Sequence, residues 1–170
     1  KLARAGLIAR LFERFGQHLE ASGYIARGGQ MVDATIVAVP RQRNSRDENE
    51  QVKAGTTPKD WKRRPAKNRQ KDKDARWTKK HGRSFFGYKN HVNVDRQHKL
   101  VRRYHVSDAA LHDSQAVDHL LMQGNTGAGV WADPAYRSAE MEAKLRARSL
   151  KSHIHRKGKR GKPLTAQGKA

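Results

Sequence analysis

The sequence contains no cysteine at any of its 170 positions. A disulfide framework and a zinc site built on cysteine ligands are therefore excluded, which suits a reducing cytosol. No apolar run approaches the length needed to cross a bilayer, and nothing at the N-terminus resembles a signal peptide. The chain starts at Lys1 rather than at a methionine, inside a predicted helix, which favours a fragment of a longer protein. Its length fits one domain with its own core, and no membrane partner is expected.

Acidic residues are scarce. The chain has 16 Asp and Glu against 37 Lys and Arg, a net charge of +21, and a surface this basic attracts a polyanion. The excess is uneven, because residues 41–83 carry 16 basic and 6 acidic residues and residues 137–170 carry 11 and 2. The stretch between them is neutral and more apolar.

The hydrophobic pattern predicts a series of helices and strands. The elements are a helix over roughly 2–21 whose apolar stripe packs on a core or another domain, a strand over 30–39, a hairpin over 84–107, a helix from Asp113 or Ser114 to Gly124, the strand GVWAD, a helix over 138–149 and a last strand over 151–157. Without residues 41–83 this order is β-β-β-α-β-α-β. It is the order of an α/β, ribonuclease-H-like fold, a mixed sheet with flanking helices.

Residues 41–83 lose this periodicity and mix charges, proline and glycine, with Trp61 and Trp77 as their only aromatic residues. We interpret them as a basic insertion after the first strand. The composition fits a solvated, irregular loop and an arm that becomes ordered on nucleic acid equally well.

Two aspartates lie in the predicted apolar strands. Asp33 is inside its strand, where an acid has to be paired, exposed or bound to a ligand. Asp133 closes a later strand ahead of Pro134, so a turn-forming role is the simpler interpretation from spacing alone.

Three long runs carry more specific information. They are MVDATIVAVPRQRNSRDENEQVKAG, DARWTKKHGRSFFGYKNHVNVDRQHKLVRRYHVSDAALHDSQ and WADPAYRS. In their content, order and spacing they closely resemble the DDE transposases of bacterial insertion sequences, specifically the group named after insertion sequence five. The resemblance covers essentially the whole chain. With it we expect an N-terminal helical segment over 1–29 and a catalytic domain over 30–170 that contains the insertion 41–83.

The resemblance implies a site and a function. The family's first catalytic aspartate lies in the VDAT strand and its second in the AD-x-x-Y strand, which correspond to Asp33 and Asp133. Both are expected to hold Mg²⁺, for which Mn²⁺ can substitute. The implied activity is metal-dependent cleavage and transfer of DNA strands. The implied partner is double-stranded DNA, as transposon ends and as target, with self-association on that DNA at the cytoplasmic nucleoid. Ala135 stands where glycine is common in the family. This difference concerns the conformation of the turn and not the metal ligands.

The third acid of the family, a glutamate from a later helix, has no clear counterpart. After Asp133 the chain offers only Glu140 and Glu142, both in the first turn of a predicted helix, where the helix dipole already favours an acid. We therefore expect a chain that is truncated before the third acid and inactive alone. His112 and Asp113 match the family's HDSQ motif, and for Asp113 we favour a helix cap over a place near the site.

Basic residues in both flanks and on the central hairpin are expected to contact DNA. They are Arg63, Arg64, Lys79, Lys80, Lys89, Arg102, Arg103, Arg156, Lys157, Lys159 and Arg160. Tyr136, Trp61 and Trp77 either stack on bases or, by default, anchor the core and the loop.

Two other classes of function fit the charge. One is a basic module that holds nucleic acid without catalysis, and the other is a ribosomal-type RNA-binding protein. The latter leaves Asp33 and Asp133 unexplained. A reading frame that continues into a glutamate-bearing helix would separate the enzyme from the non-catalytic module.

Overall fold

The computed structural model describes residues 6–156 and residue 158. Within these residues the chain forms two compact units. The first unit is built from the residues up to Thr35, Asn90–His105 and the residues from His112 onward, and the second from Ile36–Lys89 and Val106–Leu111.

Six strands form a mixed sheet in the described part of the chain. They are β1 (Gln30–Ala38), β2 (Arg76–Lys80), β3 (Arg83–Asp95), β4 (Val101–Asp108), β5 (Gly129–Ala132) and β6 (Lys151–Ser152). The strand order is β2-β3-β1-β5-β6, and β4 also pairs with β3. β1, β5 and β6 are parallel, whereas β2 and β3 are antiparallel. This mixed open sheet is compatible with a ribonuclease-H-like fold.

Helices lie before, between and after these strands. They are α1 (Leu7–Ala21), α2 (Arg46–Lys53), α3 (Lys59–Arg63), α4 (Pro65–Gln70), α5 (Val117–Leu120) and α6 (Ala139–Ala147). Short 3-10 turns over Asp113–Ala116 and Pro134–Tyr136 precede α5 and α6. The structure confirms the predicted order of strand, hairpin, helix, strand, helix and strand.

The apolar core of the first unit joins the parallel strands to α5 and α6. Its buried residues are Val32, Val117, Leu120, Leu121, Val130, Tyr136, Met141, Leu145 and Ile154. Because successive side chains of a strand point to opposite faces, burial of Val32 in this core places Met31 and Asp33 on the other face of β1.

The helix predicted from Asp113 to Gly124 is shorter than expected, and α5 ends at Leu120. The side chain of Gln30 explains this, because it bonds to both backbone groups of Met122. Its amide nitrogen donates to the Met122 carbonyl at 2.9 Å, and its oxygen accepts from the Met122 amide at 2.8 Å. The predicted cap is also wrong, since the His112 side chain accepts the Ser114 N–H at 3.3 Å.

Polar side chains line the buried face of β3. His91, Asn93 and Asp95 are fully buried, as is Gln30 on β1. The Asn93 amide donates to Gln30 at 2.6 Å and to the Leu120 carbonyl at 2.8 Å. Buried polar groups are costly unless they are hydrogen-bonded. These hydrogen bonds offset part of that cost and connect β3 to β1 and α5.

Residues 41–83 of the second unit contain regular structure, namely α2, α3, α4 and β2, where the sequence pattern predicted an irregular segment. Ser45 and Glu48 form a capping box at the start of α2. The indole of Trp61 is fully buried and donates to Glu48 at 2.6 Å, and Lys67 pairs with the same carboxylate at 3.1 Å. Hydrogen bonds from the Ser45 backbone and from Trp61 lower the pKa of Glu48 to about 2. That these residues are an insertion into the fold stays a prediction.

α1 buries none of its residues. Leu7, Ile8, Leu11 and Phe15 are exposed, and Phe12 packs edge-on against Tyr104 with ring centroids 5.0 Å apart. The stripe therefore does not pack on a core among the described residues, and its alternative role as an interface with another domain stays a prediction. None of the described helices is long and apolar enough to cross a membrane.

Candidate active site

Asp33 lies within β1, and Asp133 follows β5 directly as the first residue after that parallel neighbour strand. The register pairs Met31 with Trp131 and Val32 with Ala132, so the next residue on each side is the aspartate. Neighbouring strands are about 4.8 Å apart, which places the two residues side by side. Both side chains are exposed. The sheet therefore brings together the two acids that the sequence predicted as partners.

The turn after β5 does not use the Asp133 carboxylate. Its backbone carbonyl accepts the Tyr136 N–H at 2.9 Å, whereas its side chain makes no capping hydrogen bond. Pro134 occupies the first position of the 3-10 turn and supplies its fixed backbone angle. The backbone and the proline thus account for the turn, and the carboxylate remains available for another purpose.

Neither aspartate forms an ion pair with a basic side chain in the described part of the chain, although Lys and Arg outnumber acids by 37 to 16. Asp33 accepts only a local hydrogen bond from the Ala34 amide, at 2.7 Å. Two neighbouring carboxylates repel each other unless a cation lies between them. Their chemistry, exposure and spacing fit a hard divalent cation with oxygen ligands.

Tyr136, in the 3-10 turn that follows Asp133, has a buried hydroxyl. The residue is 1% exposed, and its hydroxyl has no hydrogen-bond partner among the residues described. Burial, and then the negative charges of Asp113, Asp33 and Asp133, raise the pKa of Tyr136 above its usual value. The phenol therefore stays neutral. The sequence predicted Tyr136 as a core anchor or a stacking residue, and its burial agrees with the core anchor.

We expect Tyr136→Phe to stabilise the metal-free protein. A buried, unpaired hydroxyl costs about 1–3 kcal/mol, so its removal should raise the free energy of unfolding by about 1 kcal/mol. Urea unfolding in the presence of a chelator measures this, and Tyr24→Phe, at an exposed tyrosine, is the control. A loss of stability on Tyr136→Phe would mean that the hydroxyl has a partner in the folded protein.

Neither Glu140 nor Glu142 is placed as a third ligand. Glu140 is exposed and pairs with Lys144 at 3.2 Å, one turn along α6. Glu142 accepts a hydrogen bond from Ser152 at 2.9 Å and pairs with Arg137 at 3.3 Å, so it joins α6 to β6 and to the turn after β5. In the described residues no group of three histidine or acidic side chains is arranged to hold a metal ion.

The basic residues predicted to contact DNA differ in their environments. Those that are exposed are Arg63, Arg64, Lys79, Lys80, Arg103 and Arg156. Arg64 pairs with Asp60 at 3.3 Å, and Arg103 donates to the Leu121 carbonyl at 3.1 Å. Lys89 is half-buried and donates to the Leu111 carbonyl at 2.6 Å. Lys157, Lys159 and Arg160 lie outside the described residues.

Arg102, in contrast, is part of a buried ion pair. Its side chain is 3% exposed and pairs with the fully buried Asp95 at 3.0 Å, and it also donates to the Tyr24 carbonyl. A guanidinium committed to a buried carboxylate cannot reach a phosphate in solvent. We therefore leave Arg102 out of the DNA-contacting set proposed below.

The three aromatic candidates differ in their exposure to solvent. Trp61 and Tyr136 are buried, so the default role of core anchor holds for both. Trp77 is 45% exposed on β2, where Arg41 lies over its ring at 5.7 Å. Of the three, Trp77 alone presents a ring that a ligand can reach.

Comparison with known proteins identifies the family. The model of the transposase DDE domain matches residues 26–170. A transposase for insertion sequence element IS1106 from Neisseria meningitidis serogroup B is 33% identical to this chain, over 96% of the chain and 55% of the relative. The chain thus spans about half the length of that curated relative. No solved structure matches significantly. The chain therefore belongs to the transposase DDE domain family.

Proposed function

We propose that this chain supplies two metal-binding aspartates and much of the DNA-binding surface of an insertion-sequence transposase. The single observation that carries the proposal is the parallel register of β1 and β5, whose last pair, Val32 and Ala132, immediately precedes Asp33 and Asp133. Both carboxylates are free of capping and ion pairs in the described structure. The motif likeness supports a place in the group of insertion sequence five, and the match to an insertion-sequence transposase supports the broader class.

Asp33 and Asp133 would hold Mg²⁺, for which Mn²⁺ can substitute. When bound, the metal activates the attacking oxygen and stabilises the leaving oxygen in phosphoryl transfer between DNA strands. The chain's own part is to fix Asp33 on β1 and Asp133 at the end of β5, where the sheet holds them more rigidly than a loop would.

The proposed substrate and partner is double-stranded DNA, as transposon ends and as target. The net charge of +21 and the exposed basic residues of both flanks support a polyanionic partner. Self-association on DNA and a location at the cytoplasmic nucleoid follow from a role in transposition and are proposed with it.

Calorimetric titration with Mn²⁺ tests the site. Asp33→Asn and Asp133→Asn should each weaken binding by at least about tenfold, since even the loss of an outer-shell partner commonly costs that much. Asp47→Asn, at an exposed aspartate of α2, is the matched control and should bind like the unmodified chain. Glu140→Gln and Glu142→Gln should also leave the affinity unchanged.

Equal heats from the unmodified chain and both aspartate variants would contradict the paired-carboxylate site. The chain would then be better described as the non-catalytic, basic nucleic-acid-binding module. A loss of Mn²⁺ affinity on Glu140→Gln or Glu142→Gln would instead place the third ligand in α6.

A further inference from the structure

The β2–β3 hairpin of the second unit has a tight, basic tip. Lys80 lies directly opposite Arg83 in the register of the two strands, and His81 and Gly82 form the two-residue turn between them. Both turn residues have positive φ, 50° and 76°, the combination typical of a type I′ turn, which preserves the right-handed twist of the ribbon. The tip residues from Lys79 through Ser84 are all exposed.

The charge of this tip is all of one sign. From Ala75 through Val94 the sequence has no acidic residue. Lys79, Lys80 and Arg83 form no ion pair within the described structure, whereas other cations, such as Lys67 and Lys144, are paired. Like charges directly opposite each other destabilise an antiparallel pair, so the Lys80–Arg83 pairing carries a local cost. An anionic partner at the tip would relieve that cost.

The hairpin is braced from Ser84, at the edge of its tip, to Gly87. The Arg41 guanidinium donates to the Ser84 carbonyl at 3.1 Å, and the rings of Trp77 and Phe86 lie 5.3 Å apart. Gly87 lies against the end of β1, where a Cβ would come within 2.2 Å of the Val37 carbonyl oxygen. The Val39 amide donates to the Phe86 carbonyl at 2.9 Å. A ribbon held in this way loses little conformational freedom on binding.

The shape fits one nucleic-acid surface in particular. A two-stranded ribbon has its strands about 4.8 Å apart. The major groove of B-form DNA is about 12 Å wide and admits such a ribbon together with its side chains, whereas the minor groove is about half as wide. Cations on both strands at the tip would lie close to the phosphates that border the groove.

We propose that the tip of the β2–β3 hairpin, Lys79–Ser84, enters the major groove of duplex DNA. Lys79, Lys80 and Arg83 contact the flanking phosphates, and the His81–Gly82 turn leads into the groove. This inference rests on the proposed function, because duplex DNA is the partner in both. It adds a specific docking element and includes Arg83, which was not among the residues predicted from the sequence to contact DNA.

Fluorescence anisotropy with a short labelled duplex tests the phosphate contacts. The triple variant Lys79→Gln/Lys80→Gln/Arg83→Gln should reduce the slope of log affinity against log salt by about 2.7, that is, by about 0.9 for each lost contact. The control triple Arg10→Gln/Arg14→Gln/Lys53→Gln removes the same charge from exposed positions on α1 and α2 and should change the slope by less than about 1. A charge-preserving triple, Lys79→Arg/Lys80→Arg/Arg83→Lys, should keep the original slope.

A second measurement identifies the groove. Glucosylated cytosines fill the major groove, and with them the unmodified chain should bind at least about tenfold more weakly. The Lys79/Lys80/Arg83→Gln variant should not sense the modification, and a minor-groove-binding drug should have no effect on either protein. A triple variant that keeps the original slope, or displacement by the drug alone, would overturn the hairpin proposal. If the unmodified chain shows no salt-dependent binding to duplex DNA at all, the proposed function fails as well.

Discussion

The affinity of the unmodified chain for duplex DNA is expected to fall steeply with salt. The described exposed cations proposed to contact DNA are Arg63, Arg64, Lys79, Lys80, Arg83, Arg103 and Arg156. If they neutralise about seven phosphates, log affinity should fall by about 6 units for each unit of log salt. Between about 50 mM and about 200 mM salt, this predicts a loss of about 10³–10⁴ in affinity.

Anisotropy titrations over that salt range measure the slope directly. Because each released counterion contributes about 0.9, the slope also counts the contacts. A slope shallower than about 2 would mean that the charge of +21 serves something other than DNA. The slope lost in the hairpin triple variant is a part of this total slope, so it has to be smaller than the slope of the unmodified chain.

Arg102→Met should be strongly destabilising. It leaves the fully buried Asp95 carboxylate without its cation, and breaking a buried pair from one side typically costs about 3–5 kcal/mol. Urea unfolding measures the change in the free energy of unfolding. The double variant Asp95→Asn/Arg102→Met removes both charges and keeps an acceptor for the His98 amide, so it should recover part of the loss.

The neighbouring Arg103 is the matched control, because it is exposed and makes one hydrogen bond to the Leu121 carbonyl. Arg103→Met should cost about 1 kcal/mol or less, yet reduce the salt slope of DNA binding by about 0.9. Equal stabilities of Arg102→Met and Arg103→Met would contradict the buried ion pair. It would also return Arg102 to the candidates for DNA contact.

The strands of the site were predictable because their pattern is local. The β-branched run before Pro40 marks β1 to within one residue of its observed end at Ala38, and the polar turn marks the hairpin. The pairing of Asp33 with Asp133 was not readable from pattern alone, since register depends on contacts between segments 100 residues apart in sequence. The family motif, and not the hydrophobic periodicity, indicated that these two aspartates act together.

Other features depend on long-range contacts that no local pattern shows. α5 ends at Leu120 because the side chain of Gln30, on β1, forms hydrogen bonds with the backbone of Met122. Arg102 reads as a surface cation until Asp95 is seen beside it in the folded structure. In residues 41–83 the capping box of Ser45 and Glu48 was a readable helix signal, but the burial of Trp61 that accompanies it was not.

The central claim is that Asp33 and Asp133 together hold a divalent metal ion, and iron-mediated cleavage tests it most directly. Fe²⁺ takes the place of Mg²⁺, and with ascorbate and peroxide it generates radicals that cut the backbone next to the bound metal. We expect mass spectrometry to locate cuts close to both Asp33 and Asp133, and we expect excess Mg²⁺, Asp33→Asn or Asp133→Asn to suppress both sets together. Cuts at only one aspartate, cuts centred elsewhere on the chain, or cuts that survive both substitutions would contradict the account.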